Sequence, residues 1–427
     1  MIGSLGTGLL VLLALSLPVG VVLFLLGFGV DVFYSPFPLI RGLGQVVWSS
    51  SNSSLLIAIP FFVLLGEVLV RAGVAERTYR TLDAWLSWLP GGLIHANIGT
   101  ATVFSATSGS SVATAATVAT VAMPQAERLG YDPRLFSGAI AAGGTLGILI
   151  PPSINLIVYG FLTETSIPRL FLAGLVPGVL LALGFMAVTA LLCRLRPALG
   201  GPSRRSGWRE RLVGLKELVP IALLFGVVIG AIYRGWATPT EAAAIGVAMA
   251  LLIAAAHGEL KPRMLTEALL GTVRTTAMIL FVIIGAYFLN YTLASAGLGN
   301  QLRELLDGLQ LGPYGTLAVL VLLYLLLGFF IETLSLMVAT IPIVVPIVAG
   351  LGFDKVWFGV LLILLVEMAL ITPPVGLNLY VVQGARKGGS LAQVMVGAAP
   401  YVATMLVMAL LLILFPQLAL WLPSGGP

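Results

Sequence analysis

A chain of 427 residues with 59% hydrophobic and only 9% charged residues is not a soluble globular domain, which carries about 25% charged residues. Its net charge of +5 does not mark a nucleic-acid binder, because the basic residues sit at the ends of apolar runs, so no nucleic-acid partner is expected. One cysteine, Cys193, excludes an internal disulfide and a thiolate metal cage.

Apolar runs long enough to span a ~30 Å hydrocarbon core recur along the whole chain. They predict an all-α polytopic membrane protein with nine full crossings: 5–30, 55–70, 135–165, 168–194, 216–234, 238–256, 274–297, 356–385 and 394–421. Residues 1–30 lack a basic start and their apolar run is too long for a signal peptide, so no cleaved leader is expected. Two further apolar stretches, 92–123 and 314–346, break in the middle at Ser108-Gly109-Ser110-Ser111 and Phe330-Ile331-Glu332-Thr333, which predicts re-entrant hairpins. Before each hairpin lies an amphipathic arm, 75–89 and 299–311, read either as a plain surface helix or as a lever between a fixed scaffold and a mobile unit.

The lysines and arginines test this order. With the N-terminus inside and both hairpins re-entrant, 17 of the 22 fall on the cytoplasmic side, and the C-terminus falls outside. The basic loop 194–216 reads first as a topology signal, with an anionic-lipid or partner surface as the alternative.

Two halves recur. Pro151-Pro152-Ser153-Ile154-Asn155 returns as Pro373-Pro374-Val375-Gly376-Leu377-Asn378, with Gly130, Tyr131 and Asp132 returning as Gly352, Phe353 and Asp354 at the same offset of 222. Further upstream, Arg71-Ala72-Gly73 returns as Ser295-Ala296-Gly297. The halves divide the chain into repeats 1–193 and 217–427, and the charge pattern inverts one against the other. Paired prolines interrupt a helix, and in a bilayer such breaks survive only where buried or lining a cavity. Matched breaks in two halves point to a transporter's binding site.

Half-helix ends at membrane depth offer amides to an anionic group and carbonyls to a cation. At the first tip Ser105, Thr107, Ser108, Gly109, Ser110 and Ser111 supply hydroxyls and close backbone approach, and Gly143, Gly144, Thr145 and Gly147 lead into Pro151 and Pro152. Glu332, Thr333, Thr340, Thr372, Gly376 and Asn378 take the equivalent places in the second half. Asn155 and Asn378 are expected to satisfy backbone groups freed beside each proline pair. Serine, threonine and glycine also serve plain helix packing, and only their clustering at both breaks favours binding. Of the carboxylates in apolar segments, Glu332 is the cation-binding or hairpin-fixing candidate, Glu367 is expected to steady the second break, and Glu67 and Glu241 read as structural. No arginine falls at membrane depth to clamp a carboxylate, and no residue set supports catalysis or ATP hydrolysis.

The segments Gly147–Ser153 and Leu370–Leu379, with the Ser-Gly-Ser-Ser and Phe-Ile-Glu-Thr tips, resemble the hallmark sequences of the large membrane subunit of TRAP transporters. The resemblance spans essentially the whole chain. It implies a Na⁺-driven elevator in the bacterial inner membrane that takes up an anionic organic acid delivered by a periplasmic solute-binding protein. It also implies a small four-helix membrane subunit, expected here as a separate polypeptide because the chain starts directly with a crossing. Two or more Na⁺ ions and no organic cofactor are implied. By position, one Na⁺ site draws on Ser108, Ser110 and Gly147 and the other on Thr333, Thr372 and Gly376. Substrate contacts are expected from Ser108, Gly109, Ser111, Pro152, Asn155, Glu332 and Asn378. The family pattern carries Asp at the second tip where this chain has Glu332, which alters what that residue reaches. The alternative is a self-sufficient Na⁺- or H⁺-coupled organic-anion transporter of the same fold.

Overall fold

Proline and glycine decide where each apolar segment becomes two helices. The structure is a computed structural model describing residues 1–425 except 16, 36, 54–55, 109, 202–206, 299–300, 302–303, 305–310, 330 and 387. The predicted first crossing, 5–30, is in fact two helices, α1 (Ile2–Ala14) and α2 (Val19–Tyr34). Pro18 has no amide to donate and disfavours the helical region for the residue before it, so the first helix ends early. A short helix that hydropathy does not suggest, α3 (Leu43–Ser51), precedes α4 (Ala58–Arg71). At Gly73 (φ 69°) the chain turns by 65° into the first arm, α5 (Val74–Leu86).

The first hairpin is α6 (Leu93–Ser108) and α7 (Ser111–Leu129), broken at the expected serines. The first broken crossing follows as α8 (Pro133–Gly144), a 3-10 turn over Thr145–Ile148, a non-helical stretch through the prolines, and α9 (Ile154–Thr163). Then come α10 (Ile167–Leu195), α11 (Trp208–Tyr233), α12 (Pro239–Ala256) and α13 (Pro262–Ser295). Both α11 and α13 begin ahead of their predicted starts, because the helix continues into polar residues that hydropathy leaves out. The second arm, 299–311, lies mostly outside the described residues. Its hairpin is α14 (Gly312–Gly328) and α15 (Thr333–Gly350), and the second broken crossing is α16 (Lys355–Ala369) and α17 (Leu377–Ala385). The last helices are α18 (Leu391–Leu414) and α19 (Gln417–Leu420).

Among the described residues, six helices are long and apolar enough to cross a bilayer unbroken: α10, α11, α12, α13, α15 and α18. One of them, α15, is a limb of the predicted second hairpin. The broken crossings fall below that length because each is divided at its prolines.

The recurrence at 222 has a local cause. Gly130 and Gly352 adopt positive φ (69° and 87°) after α7 and α15, and the aspartate two residues on caps the next helix. Asp132 accepts from the amides of Arg134 and Leu135 at 2.9 and 3.0 Å, and Asp354 from those of Val356 and Trp357 at 2.6 and 3.2 Å. Thr238 and Glu241 form a capping box on α12, the structural role expected of Glu241.

Two sets of helices pack separately. α12 and α13 each contact α4, and α2 lies on α13 with Gly20 and Gly27 under the rings of Phe281 and Phe288. In the second set α8 crosses α18 with backbones almost touching: a Cβ on Gly138 would lie 2.0 Å from the carbonyl carbon of Gly397, and one on Gly397 1.8 Å from the oxygen of Arg134. Gly174 of α10 admits the Leu149 carbonyl, 2.3 Å from where a Cβ would stand, so that helix backs the first break. The sets meet where α4 contacts α6 and α9, and α13 contacts α9 and α15.

The arm α5 belongs to both. Trp85 Nε1 donates to the Arg211 carbonyl at 3.1 Å, Arg211 Nε returns a bond to the Ala84 carbonyl at 3.1 Å, and its guanidinium lies over Trp208, 5.4 Å from the ring centre. On its other side the arm contacts α6 and α7. Part of the predicted basic loop 194–216 is thus helix, and its Arg211 clips the arm in place.

Replacing Gly397 by valine should cost about 1–3 kcal/mol or more, read as a lowered melting temperature in detergent. Gly226→Ala, at a helix position with nothing within 4 Å of the new carbon, should leave it unchanged or slightly raised.

Candidate functional site

Tips and breaks distant in sequence reach one cavity of about 610 Å³ between α4, α13 and the second set of helices. Ser110 and Ser111 line it from the first tip, Ile154 and Asn155 from beyond the first break, and Glu332 and Thr333 from the second tip. α4 contributes Glu67 and Arg71 to the opposite wall.

At the first tip Ser110 caps α7, accepting from the Ala113 amide at 3.3 Å. Ser111 is buried and its hydroxyl donates to the Glu367 carboxylate on α16. Ser108 ends α6, and Gly109 lies outside the described residues. Glu367 is fully buried, beside Thr333 and Glu332 of the second tip. Its Oε1 and the Thr333 hydroxyl are both buried without a hydrogen-bond partner among the described residues. Glu367 was expected to steady the prolines that follow it; instead its side chain reaches the other half of the chain. The cause is its position on the inner face of α16, a helix buried along nearly its whole length.

Glu332 serves first as a cap. Its two carboxylate oxygens accept from the amides of Leu334 and Ser335, each at 3.1 Å, so the positive end of α15 is already met by a negative group. The extra methylene relative to aspartate still permits this bond.

The breaks themselves differ from expectation. Asn378 Nδ2 donates to the Ala141 carbonyl of α8 at 3.2 Å, in the opposite half, while its backbone amide bridges its own break to Leu370 at 3.1 Å. Asn155 Nδ2 is buried with no partner among the described residues, so it does not close the first break as expected. There Ser153 caps α9 instead, accepting from Leu156 at 3.3 Å. Pro152 is buried, and both proline pairs are joined by cis peptides.

Gly147 lies buried in the 3-10 turn, and Gly144 just ahead of it separates the two halves: a Cβ there would stand 2.8 Å from the Ser111 carbonyl and 3.2 Å from Asn378 Nδ2. Thr372 donates back to the Met368 carbonyl at 2.6 Å. Gly376 has φ 59°, and a Cβ would meet Leu379 at 2.6 Å, so both conformation and space require glycine. Ser110, Ser111, Asn155, Glu332 and Thr333 therefore share the cavity, while Gly147, Thr372, Gly376 and Asn378 are outside its lining.

Sequence reasoning missed Arg71 and underrated Glu67. Hydropathy ends the crossing near residue 70 and treats the next arginine as interfacial. The 65° turn at Gly73 is what leaves Arg71 facing the cavity, and the Gly following Arg71-Ala72 is the one signal of it.

An all-helical, multi-pass membrane protein whose broken helices and paired tips converge on one internal cavity is a membrane transporter in class. The chain belongs to the family described as Tripartite ATP-independent periplasmic transporter, DctM component, whose model matches residues 7–418. It is 34% identical over 386 residues to the C4-dicarboxylate TRAP transporter large permease protein DctM of Pseudomonas aeruginosa, covering 90% of each chain. It is 32% identical over 426 residues to the sialic acid TRAP transporter large permease protein SiaM of Vibrio cholerae, covering 99% of this chain and 98% of that one. The Alcanivorax borkumensis YdaH transporter shares the fold, with a TM-score of 0.61 at 16% identity over 98% of this chain and 100% of that one. These relatives are named as permeases and transporters, not enzymes.

Glu367→Ala strands the Ser111 hydroxyl and opens a cavity, and should lower stability by about 2–4 kcal/mol. Glu367→Gln keeps an acceptor for Ser111 and should retain most of that stability, so equal melting temperatures for the two variants would refute the bridge.

Proposed function

We propose that this permease carries out Na⁺-coupled uptake of an anionic organic acid. The observation that supports it best is the convergence of both tips and the first break on one cavity against α4 and α13. The relatives' named solutes, C4-dicarboxylates and sialic acid, are carboxylates, which favours the same class of cargo here.

In this reading the chain comprises two inverted repeats, 1–193 and 217–427, joined by the basic segment 194–216. It lies in a bacterial inner membrane with its N-terminus cytoplasmic and its C-terminus periplasmic. The helices carrying the tips and breaks, α6–α10 and α14–α19, form the unit that moves past the scaffold of α2, α4, α12 and α13. The arm α5, hinged at Gly73 and clipped by Arg211, spans the two. One Na⁺ is held by Ser108, Ser110 and Gly147 with nearby carbonyls, the other by Thr333, Thr372 and Gly376. Hydroxyl and carbonyl oxygens at a loosened helix are suitable ligands for such a hard cation. The substrate occupies the cavity against Ser111 and Asn155, with Pro152 and Asn378 fixing the backbone behind. A separate small membrane subunit and a periplasmic solute-binding protein complete the system.

The test is uptake into proteoliposomes containing the permease, small subunit and binding protein. Accumulation should require both an inward Na⁺ gradient and the binding protein. Ser110→Trp and Thr372→Trp should each reduce it at least tenfold with folding retained. Uptake by the chain alone, or driven equally by a proton gradient, would replace this reading with a self-sufficient carrier.

A further inference from the structure

Arg71 is the last residue of α4 before the turn into the arm. Its Nη1 donates to the carboxylate of Glu67 one turn earlier and to the Glu67 carbonyl at 3.2 Å, and its Nε stands 4.0 Å from Glu267 of α13. Gly271 on α13 makes room for the Glu67 carboxylate: a Cβ there would lie 2.7 Å from its carbon. Glu67 and Arg71 keep about a quarter of their side-chain surface (24% and 27%) open where they line the cavity.

Arg71 is the one cation among the described residues lining that cavity, and a planar guanidinium matches a carboxylate with two parallel bonds. Glu332, the other charge besides Glu67, is engaged as a helix cap. One further lining group has an unmet hydrogen bond among the described residues, the Asn155 amide at 4% exposure, while the Thr333 hydroxyl at 2% lies beside the Glu367 carboxylate. A water-accessible pair four residues apart on one helix is weak and readily exchanged for another carboxylate. The equivalent position in the second half, Ser295, is uncharged and its hydroxyl donates to the Tyr291 carbonyl at 2.9 Å. The cation thus has no counterpart at the equivalent position of the second half.

We infer that Arg71 is the carboxylate-recognising residue of the cavity and that Glu67 is its internal stand-in. An organic anion takes Arg71 from Glu67, and Asn155 supplies an uncharged hydrogen bond. Because α4 belongs to the other set of helices from the tips, this contact exists only when the tips face the Arg71 end of α4. It therefore acts in taking the anion from the moving unit. Substitution of Glu67 removes a competitor, whereas substitution of Arg71 removes the receptor. The inference rests on the organic-anion reading above and names its recognition chemistry.

The test titrates sodium succinate and sodium N-acetylneuraminate against the melting temperature of the purified full chain, with sodium chloride and neutral succinamide as controls at matched Na⁺. At least one acid should stabilise the protein. Glu67→Gln should lower its half-saturating concentration by roughly five- to tenfold, Arg71→Lys should raise it, and Arg71→Gln should abolish the shift. Equal shifts in wild type and Glu67→Gln, or no shift with either acid in Glu67→Gln, overturn the inference, and this comparison decides even where Arg71→Gln does not fold. Na⁺-driven uptake that persists in Arg71→Gln with unchanged half-saturation overturns it while leaving the transport reading intact. Wild type without any Na⁺-driven uptake overturns the transport reading itself.

Discussion

The structure depends on a single constraint: a backbone group released from a helix inside an apolar layer must find a protein partner, because no water is there to serve. This chain releases such groups in two places on purpose, at its paired prolines, and much of its packing answers them. Gly174 lets α10 close over the Leu149 carbonyl, the Asn378 amide spans its own break to Leu370, and Ser153 caps the helix that restarts after the first. The close contact of Gly138 with Gly397 holds the crossing that precedes the first break against α18. Loosening a helix is tolerable only where its neighbours are this tightly fitted.

The same arrangement explains why polar groups gather at the tips. Helix ends need caps, and Ser110 and Glu332 provide them from positions that also line the cavity. Helix capping and cavity lining therefore fall on the same side chains.

Much of the fold was legible in the sequence because its punctuation is chemical. The prolines, the Gly-Tyr-Asp and Gly-Phe-Asp turns and the serine tip locate the breaks, and the structure has them there. What hydropathy could not see was geometry made by turns. Pro18 divides the first crossing, polar extensions lengthen α11 and α13, and the bend at Gly73 presents an interfacial arginine to the cavity. The partners of Asn378 and Glu367 were misjudged for one reason. Each was read against its nearest break in sequence, whereas the halves interleave, so the nearest group in space belongs to the opposite half.

The hydrogen bond from Ser111 to Glu367 joins residues 256 positions apart and one from each half. Two residues sharing one buried contact have non-additive effects, since the loss of either strands the other. The pair should therefore behave as a single inherited character: a lineage that gives up the acid has little reason to keep the hydroxyl. Distant parts of a chain are usually free to diverge separately, but here a shared bond obliges the two to change together.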